Sequence, residues 1–250
     1  MLSVSYFCCC LLSIGYLLFS HDTCLQTELG IPTGLGILAG ILLLFGFISL
    51  QVNIKINGVI LSGLFAKLGV LVPVCLSFLF FNESLKGLQI IGFAAALFAI
   101  YLINTEDSST CAVSSKWWLV LLLLANGFAD FMSKVFDVYA QSNTQNYYLL
   151  ISFFVAFVLS VLFALHEKQH LDQNDLFYGF LIGIPNFLSV KFLILSLERI
   201  PAVIAYPTYS VATILVISIV GTIVFHERLG KRQIIAEAII LLALVLLNIS

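Results

Sequence analysis

Charge is what this chain has least of. Asp, Glu, Lys and Arg make up 10% of its 250 residues, against about 25% in a soluble domain, so a water-soluble globule of this length is excluded. The formal net charge is -2, and there is neither a basic face for nucleic acid nor a Lys/Arg-rich tail for anionic lipid. Residues 1–19 lack a basic leading region and a small-residue cleavage site, which excludes a signal peptide and leaves a membrane span. Cysteine offers no disulfide framework. Cys8, Cys9, Cys10 and Cys75 fall in apolar runs, where they act as small apolar residues. Cys24 and Cys111 fall in loops three spans apart, on opposite sides of a bilayer.

What the chain does have is apolar length. Hydrophobic residues are 61% of it and its mean hydropathy is +1.12. Reading these runs against the roughly 20 residues that cross about 30 Å of hydrocarbon predicts nine spans: 1–19, 31–50, 57–81, 87–104, 117–139, 147–165, 176–197, 201–225 and 232–249. All are expected to be helical, because lipid cannot satisfy stray backbone groups. No soluble domain remains. The polar stretch 105–116 is the natural linker, with Trp117 and Trp118 as interface anchors after Lys116.

The segment FNESLKGLQIIGFAAALFAIYLIN, residues 81–104, recurs as FHERLGKRQIIAEAIILLALVLLN, residues 225–248. Leucine bias explains the apolar matches but not the pairing of Glu83 with Glu227, Gln89 with Gln233 and Asn104 with Asn248. Five spans lie between the loop at Glu83 and the loop at Glu227, and five is odd, so the two copies face opposite sides of the membrane. That is the arrangement of secondary transporters, with a substrate site near the midplane and alternating access by rocking of the halves. The expected division is a first repeat over 1–104, the linker 105–116 and a second repeat over 117–250.

The Glu-x-Leu-x-x-x-Gln opening of these helices, preceded in the second half by PAVIAYPTYSVATILVISIVGTIVFHERL, resembles the drug/metabolite transporter superfamily in its EamA-like branch. The resemblance covers essentially the whole chain. It implies ten helices in two inverted five-helix repeats, a cargo among amino acids, nucleosides or drug-like compounds, and an inward-facing C-terminus; no cofactor is expected. The copies align so that 147–165 pairs with the first span and 117–139 has no partner in the first half. The expected fold is therefore an all-α polytopic membrane protein of about nine transmembrane helices, a ten-helix pattern with the first helix missing, and the natural chain is expected to extend about one span before Met1.

Polar groups inside spans are the candidates for chemistry, since an ionisable side chain at the bilayer centre costs about 2.5–3.5 kcal/mol. Lys67 is close to the middle of its predicted span. Lys134 and Lys191 are near the ends of theirs, where a snorkelling stem is the competing reading. Asn126, Asp130, Ser133, Lys134 and Asp137 share one face of 117–139, which suits a wet cavity; an internal Asp130–Lys134 pair at i,i+4 is equally compatible. Tyr206, Tyr209, Ser210 and Thr213 share a face after Pro207, either for binding or for ordinary interhelical hydrogen bonds. Asn186 aligns with Gly179 and Gly183, whose expected role is close helix contact. Glu83 and Glu227 are read as helix-start carboxylates. The expected substrate-binding set is Lys67, Asn126, Asp130, Lys134, Asn186, Lys191, Tyr206, Tyr209 and Ser210, with no catalytic and no metal-ligating residues.

His166, Glu167 and His170 spell the H-E-x-x-H spacing of zinc hydrolases. The motif falls where an apolar run passes into the polar stretch HEKQHLDQND, and a solvated helix end is the preferred reading. The expectation is a transporter of a small polar metabolite in a cytoplasmic, bacterial-type inner membrane, with lipid as its surroundings and no nucleic-acid partner. Three deep lysines against Asp130 favour an anionic or zwitterionic cargo. Protons as coupling ion and a homodimer stay open. The alternatives are a membrane zinc peptidase and a non-catalytic membrane subunit.

Overall fold

The structure is a computed structural model, and the residues it describes are 1–19, 30–57, 62, 65–66, 69–81, 87–104, 116–167, 173–210, 212–213, 235, 238–239, 242–243 and 245–246. Their regular structure is helical. The elements are α1 (Leu2–Phe19), α2 (Gly30–Asn57), α3 (Leu71–Phe81), α4 (Gly87–Asn104), α5 (Lys116–Tyr139), a 3₁₀ turn (Ser142–Thr144), α6 (Gln145–His166) and α7 (Gln173–Leu197), followed by the helical stretch 202–210. Among the described residues, α1, α2, α5, α6 and α7 are long and apolar enough to cross a membrane. Their large apolar side chains that face outward, such as Phe154, Leu162, Phe177 and Phe192, meet lipid in place of water.

Helix boundaries follow the apolar runs closely, with two instructive differences. α2 continues past the run to Asn57, because Asn53 is fully buried and donates from Nδ2 to the Ser49 carbonyl (2.8 Å) and to the Trp118 carbonyl (2.7 Å). The expected span 57–81 is not one helix. The chain turns at Gly69–Val70 before α3 begins. Pro73 has no N–H to give to the carbonyl four residues back, and the Gly69 carbonyl takes the Val72 N–H instead, at 3.0 Å. The eleven residues of α3 reach only about 16 Å. The loop containing Glu83, the loops of Cys24 and Cys111, Glu227 and most of the last two expected spans lie outside the described residues.

The chain forms two compact units, one of 1–47 and 129–199, the other of 48–128 and 200–250. Each draws on both expected repeats.

In the first unit α1 packs on α6 and α7. Glycine makes the α1–α7 seam: a methyl on Gly183 would stand 2.7 Å from Cys8 Cβ and 2.8 Å from the Ser5 carbonyl oxygen, and one on Gly179 would stand 2.6 Å from Val4 Cβ. The role expected for these glycines, close helix contact, is the one they have. Cys9 is fully buried on this seam and its thiol donates to the Gly183 carbonyl at 3.3 Å. Gly36 and Gly40 bring α2 against α6 in the same way, next to Ile151 and the Ser152 carbonyl. Aromatic rings fill the remainder, with Tyr6, Phe153, Phe187 and Tyr16 in successive contact and Phe136 stacked on Tyr148 at 4.4 Å.

In the second unit Leu119, Leu122, Val70, Val74, Ala202, Val203 and Tyr206 are buried. Gly127 stands against Gly69 and Val72, where an added methyl would lie 2.6 Å from the Gly69 carbonyl oxygen.

Candidate functional site

The polar face read on 117–139 turns inward in the first unit. Ser133 and Lys134 are buried at 4% and 6% exposure, values that exclude a lipid-facing stripe. Asp130 and Ser133 from α5 join Tyr148 and Ser152 from α6 in the wall of a cavity of about 30 Å³. Ala39, Leu43, Ala129, Leu149, Phe153, Val190 and Leu193 complete it. Tyr148 and Ser152 are buried, and the Tyr148 hydroxyl lies within hydrogen-bonding range of Ser133 and Ser152 and in the field of the Asp130 carboxylate. Ser152 also donates to the Tyr148 carbonyl at 2.8 Å.

Lys134 does not snorkel. Its ammonium lies 3.0 Å from Asp137 Oδ2, with both side chains almost fully covered. A buried pair of this kind holds its shape because removing either partner strands the other charge away from water. Lys191 does not reach outward either. Its ammonium lies over the Tyr16 ring, 3.1 Å from the centroid, with the Phe187 ring at 5.9 Å. It also donates to Asn146 Oδ1 at 3.3 Å, and Gln145 Nε2 donates to the Lys191 carbonyl at 3.1 Å. Asn186, one turn earlier on α7, points its amide at Cys9 Sγ, 4.0 Å away.

Asp130, Lys134, Asn186 and Lys191 therefore fall in the first unit. Asn126, Tyr206, Tyr209 and Ser210 fall in the second. There Tyr206 and Ser210 are buried, Tyr209 is 36% exposed, and Thr213 donates to the Tyr209 carbonyl at 2.8 Å. Lys67 lies outside the described residues. His166 ends α6 and Glu167 follows as its C-cap, both exposed; His170 lies outside the described residues. The helix on which an H-E-x-x-H pair would need to sit stops at the first histidine.

Tyr16, Gln145, Asn146, Tyr148, Ser152 and Phe187 are site neighbours that the sequence reading did not single out. A signal for α6 was present. Gln145, Tyr148, Ser152, Ala156 and Ser160 recur at intervals of three and four and all are buried, a stripe of polar and small residues along an otherwise apolar helix.

Residues 114–249, more than half of the chain, match the family model of the EamA-like transporter family. The chain belongs to that family. It is a multi-pass integral membrane protein of the drug/metabolite transporter superfamily, and members of the EamA-like family are transporters, not enzymes. This EamA-like chain is similar to an uncharacterised protein of Haemophilus influenzae, 24% identical over 197 residues that are 77% of this chain and 67% of that one. A crystal structure of another protein covers 99% of this chain and 87% of its own length, with a TM-score of 0.79 at 14% identity. That likeness shows a shared fold.

Proposed function

We propose that this EamA-like protein is a secondary transporter of a small polar metabolite, of the size of an amino acid, nucleoside or drug-like compound, working by alternating access. The inward turn of the α5 face carries the reading: Ser133 and Lys134 are buried and Asp130 borders a cavity, whereas a helix that only anchors a subunit has no use for ionisable groups in its interior face. Asp130, Lys134, Asn186 and Lys191 are the substrate-binding candidates of the first unit. Asn126, Tyr206, Tyr209 and Ser210 are those of the second, with Lys67 beside them in the sequence argument. Ammonium groups outnumber the carboxylate of Asp130 in this set, which favours an anionic or zwitterionic cargo. The repeated block supports two inverted repeats, 1–104 and 117–250, as the frame in which rocking exposes the site to either side.

A panel of amino acids, nucleosides and organic acids, screened for thermal stabilisation of the purified chain, finds the cargo, since a ligand at a hundred times its Kd adds about 2.7 kcal/mol. Radiolabelled binders are then tested for uptake into proteoliposomes. Lys67→Ala is expected to abolish uptake and Lys191→Ala to weaken it. Full uptake by a Lys67→Ala protein made at normal levels removes Lys67 from the site, and a chain that neither binds nor moves any member of the panel is a subunit instead.

A further inference from the structure

The chamber beside Asp130 is the wrong size for the cargo. Sites for small organic ligands run to about 300–1,000 Å³, whereas this one measures about 30 Å³, room for one or two water molecules. A wall has to move before a metabolite can enter. The walls are not fastened alike. α2 and α6 meet tightly at Gly36 and Gly40. α7 brings Val190 and Leu193 to the chamber, and it is divided in its middle by Pro185. Proline has no N–H for the Leu181 carbonyl and crowds it, which makes this the joint at which α7 bends most easily.

The two halves of α7 are held by different means. Before the joint, Gly179 and Gly183 lie against Val4 and Cys8 of α1, and the Cys9 thiol donates to the Gly183 carbonyl. After the joint, Lys191 reaches both neighbouring helices. Its ammonium lies 3.1 Å from the centroid of the Tyr16 ring of α1 and donates to Asn146 Oδ1 of α6 at 3.3 Å, while its carbonyl accepts from Gln145 Nε2 at 3.1 Å. A glycine seam separates only when backbone leaves backbone along its length. A cation on a ring face is one contact, given up and remade by rotation of a single side chain.

We propose that residues 186–197 are a hinged wall of the candidate site, with Pro185 as the joint and Lys191 as the latch. While the ammonium is seated on Tyr16 and Asn146 the chamber holds only water. When it lets go, Val190 and Leu193 swing outward and the chamber widens to admit cargo. Lys191 is six residues from the end of α7 at Leu197, so its released ammonium reaches the membrane surface on its long stem and the open form strands no charge in lipid. In this role Lys191 is a positioning residue that acts on the chamber through the wall it holds. The proposal rests on the transporter reading for what enters, while the latch belongs to the folded chain alone.

The test is thiol labelling of the full chain carrying Leu193→Cys, in lipid nanodiscs that leave both faces open to a water-soluble charged methanethiosulfonate, with the label located by mass spectrometry. Lys191→Met, which keeps the stem and removes the charge, is expected to raise the labelling rate by roughly 2- to 30-fold, the population shift that loss of one cation–π contact brings. Tyr16→Leu is expected to raise it as well and serves if Lys191→Met does not fold, while Tyr16→Phe keeps the π face and the parent rate. Adding Pro185→Ala to Lys191→Met restores a donor at the joint and is expected to bring the rate back toward that of the parent. Amide exchange in Lys191→Met is expected to rise over 186–197 and to stay unchanged over 173–184. A labelling rate indifferent to Lys191, an acceleration that Pro185→Ala leaves in place, or exchange that rises through the whole of α7, as in a fold merely loosened, overturns the proposal. The labelling needs no cargo, so the two readings fail separately. A working latch in a chain that moves no compound sinks the transporter, and uptake with labelling indifferent to Lys191 sinks the latch.

Discussion

Two interfaces in the first unit are built from opposite materials. Along the α1–α7 seam Gly179 and Gly183 let backbone approach backbone, Cys9 and Ser13 turn their polar atoms onto carbonyls, and the packing is tight. Where α5 meets α6 the facing residues are Asp130, Ser133, Tyr148 and Ser152, and they leave a cavity. In a bilayer there is no hydrophobic force to press helices together, since lipid tails are as apolar as leucine. Association comes instead from close packing at small residues and from hydrogen bonds between helices. The first interface uses the former and gains rigidity; the second uses polar groups and keeps room for water.

The sharpest way to break the comparison is on the charged side. Lys134→Ala leaves Asp137 buried without its ammonium and is expected to cost about 3–5 kcal/mol, read as a large drop in the thermal unfolding temperature of the purified protein. Lys134→Met with Asp137→Leu, which removes both charges and keeps volume, is expected to recover most of that loss. A double variant as unstable as the single one would falsify the pairing.

The glycine seam makes a smaller and oppositely signed test. Alanine in place of glycine ordinarily stabilises a helix by roughly 0.5–1 kcal/mol. At Gly15, with nothing within 4 Å of the added methyl, that gain is expected. At Gly183 the methyl meets Cys8 and the Ser5 carbonyl, and overpacking of about 1–3 kcal/mol is expected to outweigh it. Equal melting temperatures for Gly15→Ala and Gly183→Ala would show that the seam is looser than its distances state.

The least effect is expected at the edge of the two interfaces, where Tyr16 carries the Lys191 ammonium on its ring. Tyr16→Phe keeps a π face and is expected to unfold close to the parent temperature, while Tyr16→Leu loses about 0.5–2 kcal/mol. If both variants match the parent, the ring is a neighbour of Lys191 without attracting it.

Much of this architecture was open to reading from residues alone. Apolar runs marked α1, α4, α5, α6 and α7 to within three residues at either end, and the start but not the end of α2, because a bilayer demands helices of a set length. The charged face of α5 was also visible, since 100° per residue decides which side chains share a side of a helix. The same arithmetic carries no information on what stands opposite. Asp137 was placed on the α5 face without being identified as the partner of Lys134, and Lys191 looked free to snorkel because the ring of Tyr16 is distant in sequence. The turn at Gly69–Val70 was missed inside an apolar run because hydropathy does not record that Pro73 withholds a donor.

The sequence by itself determined that this protein lives in a membrane, that its spans are helices, that a helix block is repeated, and that Asp130, Lys134 and Lys191 lie in apolar runs. Those properties depend on composition and on spacing along one helix. Only the tertiary structure decided that Lys134 answers Asp137, that Lys191 lies on Tyr16, and that Asp130 shares a water-sized chamber with Tyr148 and Ser152. Each of those facts depends on which helix stands beside which, and the periodicity of a single helix cannot name its neighbour.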